Sequence, residues 1–290
     1  MADVAQPLTA PRSGIARFAQ TRPLTTFFLL AYLWSWALWE SIALLPQGQN
    51  ASVDGILAVI FIVAGFGPTL AALVTSWLAD RSPKICRIWT GWRSLMAGLV
   101  FGLAGFFLTT VALSSRAVVH APFSALHWSA LLHWSTYGIN YSTWLGGPVN
   151  EEPGWRGFAL PRLQQRYGPV RATLILSLLW AGWHLPLFQM PNWISANPWQ
   201  FLLIVTGISF LLTAAANLSK FNVIVAIVLH AFFNTSSAMS NALTYGLPTR
   251  AHEMTVYTFF VLICGATLGI TALRVGATRT PQISEPAPAA

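Results

Sequence analysis

An all-α membrane bundle of about eight transmembrane helices is the fold class this sequence predicts. Three observations predict it. The 290 residues are 55% hydrophobic and only 8% charged, whereas a soluble domain of this size carries about 25% charged residues. Apolar runs of about the 20 residues that a spanning helix needs recur along the chain. The basic residues then fall almost entirely on one side of the bilayer when those runs are counted as spans.

Windows of about 19 residues mark apolar segments near 24–45, 55–79, 95–113, 169–190, 198–218, 221–240 and 255–273. The first run exceeds the roughly 7–15 residues of a signal-peptide core, and no small-residue cleavage site follows it, so it reads as a retained helix. A weaker segment, 128–147, is amphipathic and aromatic. The charges decide whether it crosses. Arg12, Arg17 and Arg22 precede the first span. Arg81, Lys84, Arg87 and Arg93 follow the second, and Arg156, Arg162, Arg166 and Arg171 follow the weak segment. Lys220, Arg274 and Arg279 complete the set. With 128–147 counted as a span, all of these share one side and only Arg116 and Arg250 lie on the other. The positive-inside rule then places both termini in the cytoplasm.

The same distribution disposes of a nucleic-acid reading of the net charge of +8. That charge is orientation signal and lipid-headgroup contact. Cys86 and Cys264 lie too far apart in sequence and character to suggest a disulfide framework or a cysteine zinc site. The organisation expected is a loose cytoplasmic segment 1–22, a transmembrane domain 23–274 and a disordered Pro- and Ala-rich tail 275–290. No fixed-period repeat and no interdomain linker is visible.

An ionisable side chain inside a span costs roughly 2.5–3.5 kcal/mol on insertion scales, so each one needs a reason. Glu40 sits beside Trp39 at the outer end of the first span, where snorkelling suffices. His120, His127 and His133 accompany Trp128 and Trp134 and read as an interfacial belt. His184, in "LLWAGWHLPLF", is deep in an uncharged run, and His230 and Asn234 are spaced i, i+4 in "HAFFN". Either could be interhelical glue contributing about 0.6 to 2 kcal/mol. The stretch "GGPVNEEPGWRGF" adds Glu151, Glu152 and Arg156. On a helix Glu152 and Arg156 pair at i, i+4, while Glu151 is rotated about 100° away and faces something else.

Taken together, these residues are a toolkit for splitting an amide bond with water. A carboxylate can take a proton from water, a histidine can pass it to the leaving amine, and Asn and His donors can stabilise an oxyanion. Competing chemistries lack their parts. There is no His-Glu-x-x-His and no Gly-x-Ser-x-Gly, and Asp3, Asp54 and Asp80 lie outside the spans.

The motifs "EEPGWR", "WAGWH" and "HAFFN", in this order, resemble the CAAX prenyl protease and bacteriocin-processing family of intramembrane endopeptidases, also called the CPBP or Abi family. The resemblance covers roughly 128–240, with Trp180 standing where the family pattern has Phe. It implies that Glu151 activates water with help from His184, that His230 and Asn234 form the oxyanion site, and that Glu152 and Arg156 support the first glutamate. It implies a membrane-associated or lipidated peptide as substrate, cut near the cytoplasmic face. Relatives in eukaryotes cut behind a prenylated cysteine, and those in bacteria are linked to bacteriocin maturation and immunity. The location implied is a bacterial plasma membrane. Members are described with and without metal, and a glutamate with two histidines could hold zinc; the reading adopted here has no obligatory metal. The alternative is a non-enzymatic scaffold or transporter using the same polar cluster. Oligomeric state is not encoded in any of these features.

Overall fold

The structure is a computed structural model. It describes residues 14–45, 51–81, 87–88, 90–105, 129, 147–190, 196–243 and 251–276. Among these residues the regular structure is helical, with no strand; an isolated bridge joins Arg87 to Asn222.

Helices run over Gly14–Thr21, Pro23–Ala43, Ala51–Gly65 and Gly67–Asp80, then over residues 92–105. After the weak segment the chain is helical from Pro148 onward, with a kink at Gly168, whose φ 73 and ψ 168 are non-helical ahead of Pro169. An α-helix Pro148–Glu152 passes into a π-helix Pro153–Ala159, then an α-helix Leu160–Trp183 and a 3-10 turn Leu185–Gln189. Pro198–Leu218, Val223–Leu243 and Ala251–Gly276 follow. The Gly14–Thr21 helix, with Ala16 and Ala19 buried, lies inside the segment that composition reads as loose.

Among the described residues three helical stretches are long and apolar enough to cross a membrane: Pro148–Gln189, Pro198–Leu218 and Tyr257–Arg274. The pair Val53–Gly65 and Gly67–Asp80, bent by 44°, makes a fourth if it is one span. Pro23–Ala43 is 21 residues long, but Trp34, Trp36, Trp39 and Glu40 reduce its hydropathy. The expected crossing 128–147 lies outside the described residues apart from 129 and 147.

Proline explains where the helices break. Pro68 has no N–H to give the carbonyl of Ala64. The Ser35 hydroxyl donates to that carbonyl at 2.7 Å, and Trp34 Nε1 donates to the Val63 carbonyl at 3.0 Å. Polar side chains of Pro23–Ala43 thus satisfy the backbone that the bend frees, as an apolar environment requires. The same helix meets the other end of the site. Trp36 Nε1 donates to the Trp183 carbonyl at 3.0 Å, and the Tyr32 hydroxyl donates to the Leu179 carbonyl. At Pro198–Leu218 the start is set by a capping box between Asn197 and Gln200.

Pro153 opens the π-helix and Pro161 follows its end, and each lacks a backbone hydrogen-bond donor. Such π segments recur at functional sites. This one approaches the bend closely. A side chain at Gly154 would collide with the Pro68 carbonyl, and one at Gly65 would meet the Asn150 amide at 2.6 Å. The bend and the π-helix are therefore packed as one unit, and the acidic pair sits at their junction.

Candidate active site

Glu151 and Glu152 occupy the last turn of the short helix that begins at Pro148. Both are buried, at 4% and 0% exposure, with Asn150 and Arg156 at 1% each. The sequence pattern predicts the pairing of Glu152 with Arg156, and the structure has it: Arg156 Nη1 donates to Glu152 Oε1 at 2.9 Å. It is no surface pair. Arg156 Nη2 also reaches Ser209 Oγ at 3.3 Å on the neighbouring helix, and its guanidinium lies 4.2 Å from the centre of the Trp180 ring.

His230 comes from Val223–Leu243 and meets the same carboxylate oxygen: its Nδ1 is 2.8 Å from Glu152 Oε1. An Nδ1–H donated to a carboxylate fixes the ring and leaves Nε2 as the other nitrogen. Glu152 thus joins three elements, its own turn, Arg156 of the π-helix and His230.

Glu151 faces elsewhere, as its rotation predicts. Its Oε2 accepts from Trp155 Nε1 at 3.2 Å and from Trp180 Nε1 at 2.6 Å. Among the described residues these are its hydrogen-bond partners. Its other oxygen, Oε1, lies over Gly147, where any side chain would collide with it. Gly147 has φ +115, a conformation glycine adopts without the Cβ penalty. Glu151, Glu152 and His230 are close enough to feel one another's charge.

His184 ends the long helix. Its Nδ1 is 2.8 Å from the Trp180 carbonyl one turn earlier, and its ring packs edge-on against Trp183 and Phe201. It lies within electrostatic reach of His230. Trp180 is the common neighbour: its ring centre is 6.0 Å from that of His184 and 5.2 Å from that of His230. Asn234 is half-buried one turn beyond His230 on the same helix. Glu40, the outer-end glutamate, is half-buried and accepts from Gln189 Nε2 at 3.0 Å, away from this cluster. His120, His127 and His133 lie outside the described residues.

Sequence reasoning missed several members. Trp155 stands four residues after Glu151, so its place on the same face was readable. Trp180 entered only as a departure from the family's Phe, yet its indole N–H is a donor to Glu151. Ser209 carried no local signal, being 53 residues from Arg156.

The donor set does not fit a zinc ion as arranged. Among the described residues no three of His, Cys, Asp and Glu are grouped as metal ligands would be. Glu152 Oε1 is engaged by Arg156 and His230, and Glu151 Oε2 by two indoles.

Fold and site together define a class: a helical integral membrane protein with a buried carboxylate–imidazole site shared by a π-helix and the helices around it. The comparisons with known proteins agree. Residues 133–236 match the family model described as type II CAAX prenyl endopeptidase, Rce1-like. CAAX prenyl protease 2 of Methanococcus maripaludis is 28% identical over 100 residues, which are 31% of this chain and 36% of that protein. The chain thus spans about a third of the length of the curated relative it matches. The chain is therefore similar to the Rce1-like CAAX prenyl endopeptidases, a family of proteases, and the match contains Glu151, Glu152, Arg156, His184, His230 and Asn234.

Proposed function

We propose that this protein is an intramembrane endopeptidase that hydrolyses a membrane-associated or lipidated peptide by glutamate-activated water. The observation that carries the reading is the unequal treatment of two adjacent carboxylates. Glu152 is held by Arg156 and His230, while Glu151 is held by two neutral indoles. Neutral donors hold a carboxylate in place without setting a cation beside it to compete for an incoming proton.

In the proposed reaction Glu151 takes a proton from water as the oxygen attacks the peptide carbonyl. The tetrahedral oxyanion is stabilised by His230 through Nε2–H when the ring is protonated, and by the Asn234 amide. His184 assists Glu151, and the proton taken from water goes to the leaving nitrogen as the C–N bond breaks. One water and one peptide bond yield one carboxylate and one amine. Glu152 and Arg156 orient His230. No step is routed through a metal.

The reading includes about eight crossings with both termini in the cytoplasm, which the distribution of Lys and Arg supports. It places the cleavage near the cytoplasmic face of a bacterial plasma membrane, because Arg156, Arg162 and Arg166 follow Glu151 directly. The test compares membrane peptides from cells carrying the wild type with those carrying Glu151→Gln. The expected outcome is a set of cleaved peptides present with the wild type and reduced about 10²- to 10⁴-fold in the variant, at equal protein level. An unchanged peptide set would refute the assignment.

A further inference from the structure

The hydrogen bonds to Glu151 go beyond what the catalytic roles require. Both end on one oxygen, Oε2, and both come from indoles, Trp155 one turn along the same strand of helix and Trp180 on the long helix. Trp155 is fully buried and Trp180 is 3% exposed. Each is itself held. Trp155 packs edge-on against Phe27 at 5.4 Å and Trp183 at 5.7 Å. Trp180 lies against the Arg156 guanidinium on its face and His230 at its edge. The other oxygen, Oε1, sits over Gly147, the position without a side chain.

The geometry points to Trp180, with Trp155, as a clamp that fixes the carboxylate of Glu151 by one oxygen and reserves Oε1 to take the proton. This deepens the peptidase reading and rests on it. Trp180 is a positioning residue: it acts through Glu151. The physical logic is one of direction. Two N–H donors converging on Oε2 occupy its lone pairs and prevent the carboxylate from rotating about its Cγ–Cδ bond. A neutral donor does this without adding a cation that would compete for the proton, unlike the Arg156 contact to Glu152. Because Trp180 also touches Arg156 and His230, one ring sets the mutual placement of Glu151, Glu152 and His230. An indole is suited to this, being donor-only with a broad apolar face.

The test replaces Trp180 by benzothienylalanine, which keeps the ring shape and the face over Arg156 but has sulfur in place of N–H. Trp180→Phe is the second variant, should the first be poorly incorporated. The substrate is a fluorogenic farnesylated CAAX-type peptide in lipid vesicles, assayed with the full chain in nanodiscs. In both variants kcat is expected to fall roughly 10- to 100-fold, the order of loss for a misplaced reacting group, with KM within about twofold. A purely packing role for Trp180 would leave the benzothienylalanine protein at wild-type kcat. With isotope-labelled tryptophan, the Trp180 indole N–H resonance is expected to move upfield in Glu151→Ala; no movement overturns the clamp. Full kcat in the benzothienylalanine protein beside an inactive Glu151→Gln also overturns the clamp and leaves the peptidase reading standing. Full cleavage by Glu151→Gln overturns the peptidase reading and the catalytic role of the clamp with it, while the indole resonance still reports the contact.

Discussion

Two buried regions of this bundle are built on opposite principles. Between Pro198–Leu218 and Ala251–Gly276 the backbones approach through glycine. Added side chains at Gly207 and Gly265 would collide with the backbone of the other helix, and one at Gly269 would meet the Phe210 carbonyl at 2.7 Å. Around it lie Val261 at 0% and Phe210 at 3% exposure. Without a hydrophobic driving force between helices in lipid, such close van der Waals packing is what holds them. At the acidic junction the opposite holds. Asn150, Glu152 and Arg156 are all buried to within 1%, and Asn150 Oδ1, Glu152 Oε2 and Arg156 Nε have no hydrogen-bond partner among the described residues. Such groups cost stability. The seam is built on close backbone approach; the site is built on charge and hydrogen bonding. A fold that keeps a costly site beside an efficient seam separates stability from chemistry in space.

That separation can be broken at the site or at the seam. The largest effect is expected from Glu152→Ala. It leaves Arg156 and His230 buried without their common acceptor, a loss of about 3–5 kcal/mol for a severed buried pair. Thermal unfolding in detergent should fall well below the wild type, and cleavage should vanish. A wild-type melting temperature would show that the pair is not a structural link. At the seam, Gly265→Ala forces the two backbones apart and should cost about 1–3 kcal/mol by overpacking. The comparison is sharpened by activity per folded molecule, which should stay near wild type in this variant, because no site residue comes from Ala251–Gly276. A large drop in that ratio would mean that the seam sets the site geometry. The smallest effect is expected for Ser209→Ala. It removes one hydrogen bond to Arg156 at 3.3 Å, a change of about 0.5–1.5 kcal/mol, measured as a small shift in chemical denaturation with KM unaltered.

Much of the fold was legible because the bilayer constrains it. The runs 198–218 and 255–273 correspond to helices Pro198–Leu218 and Ala251–Gly276, since hydropathy and length suffice to define an apolar helix. The run 55–79 corresponds to the pair Val53–Gly65 and Gly67–Asp80, bent by 44°, a break that hydropathy does not show. Gly65, Gly67 and Pro68 hold that information, but they do not say that Ser35 and Trp34 will satisfy the freed carbonyls. The run 169–190 starts where the structure breaks, at Gly168 with φ 73 and ψ 168 ahead of Pro169, but the helical stretch it belongs to begins further back, at Pro148. Window averaging hides this, because Glu151, Glu152 and Arg156 lower hydropathy while being buried.

At the site the residue types were readable and the partnerships were only partly so. Glu152 with Arg156 follows from a helical period. That His230, 78 residues away, shares the same oxygen does not.

What the sequence by itself determined was the class of solvent, the helical character of the chain and the inventory of reactive groups. These depend on composition and on spacings of a few residues, where one helical turn is the governing length. Tertiary structure alone brought His230 to the Glu152 oxygen that Arg156 already holds, and Trp180 to the Glu151 oxygen that Trp155 holds. Those contacts join positions 78 and 29 residues apart, and no local spacing encodes them. Partner selection in a buried site is a matter of which donors arrive from distant segments, because a low-dielectric interior leaves every polar atom to be satisfied by its neighbours in space.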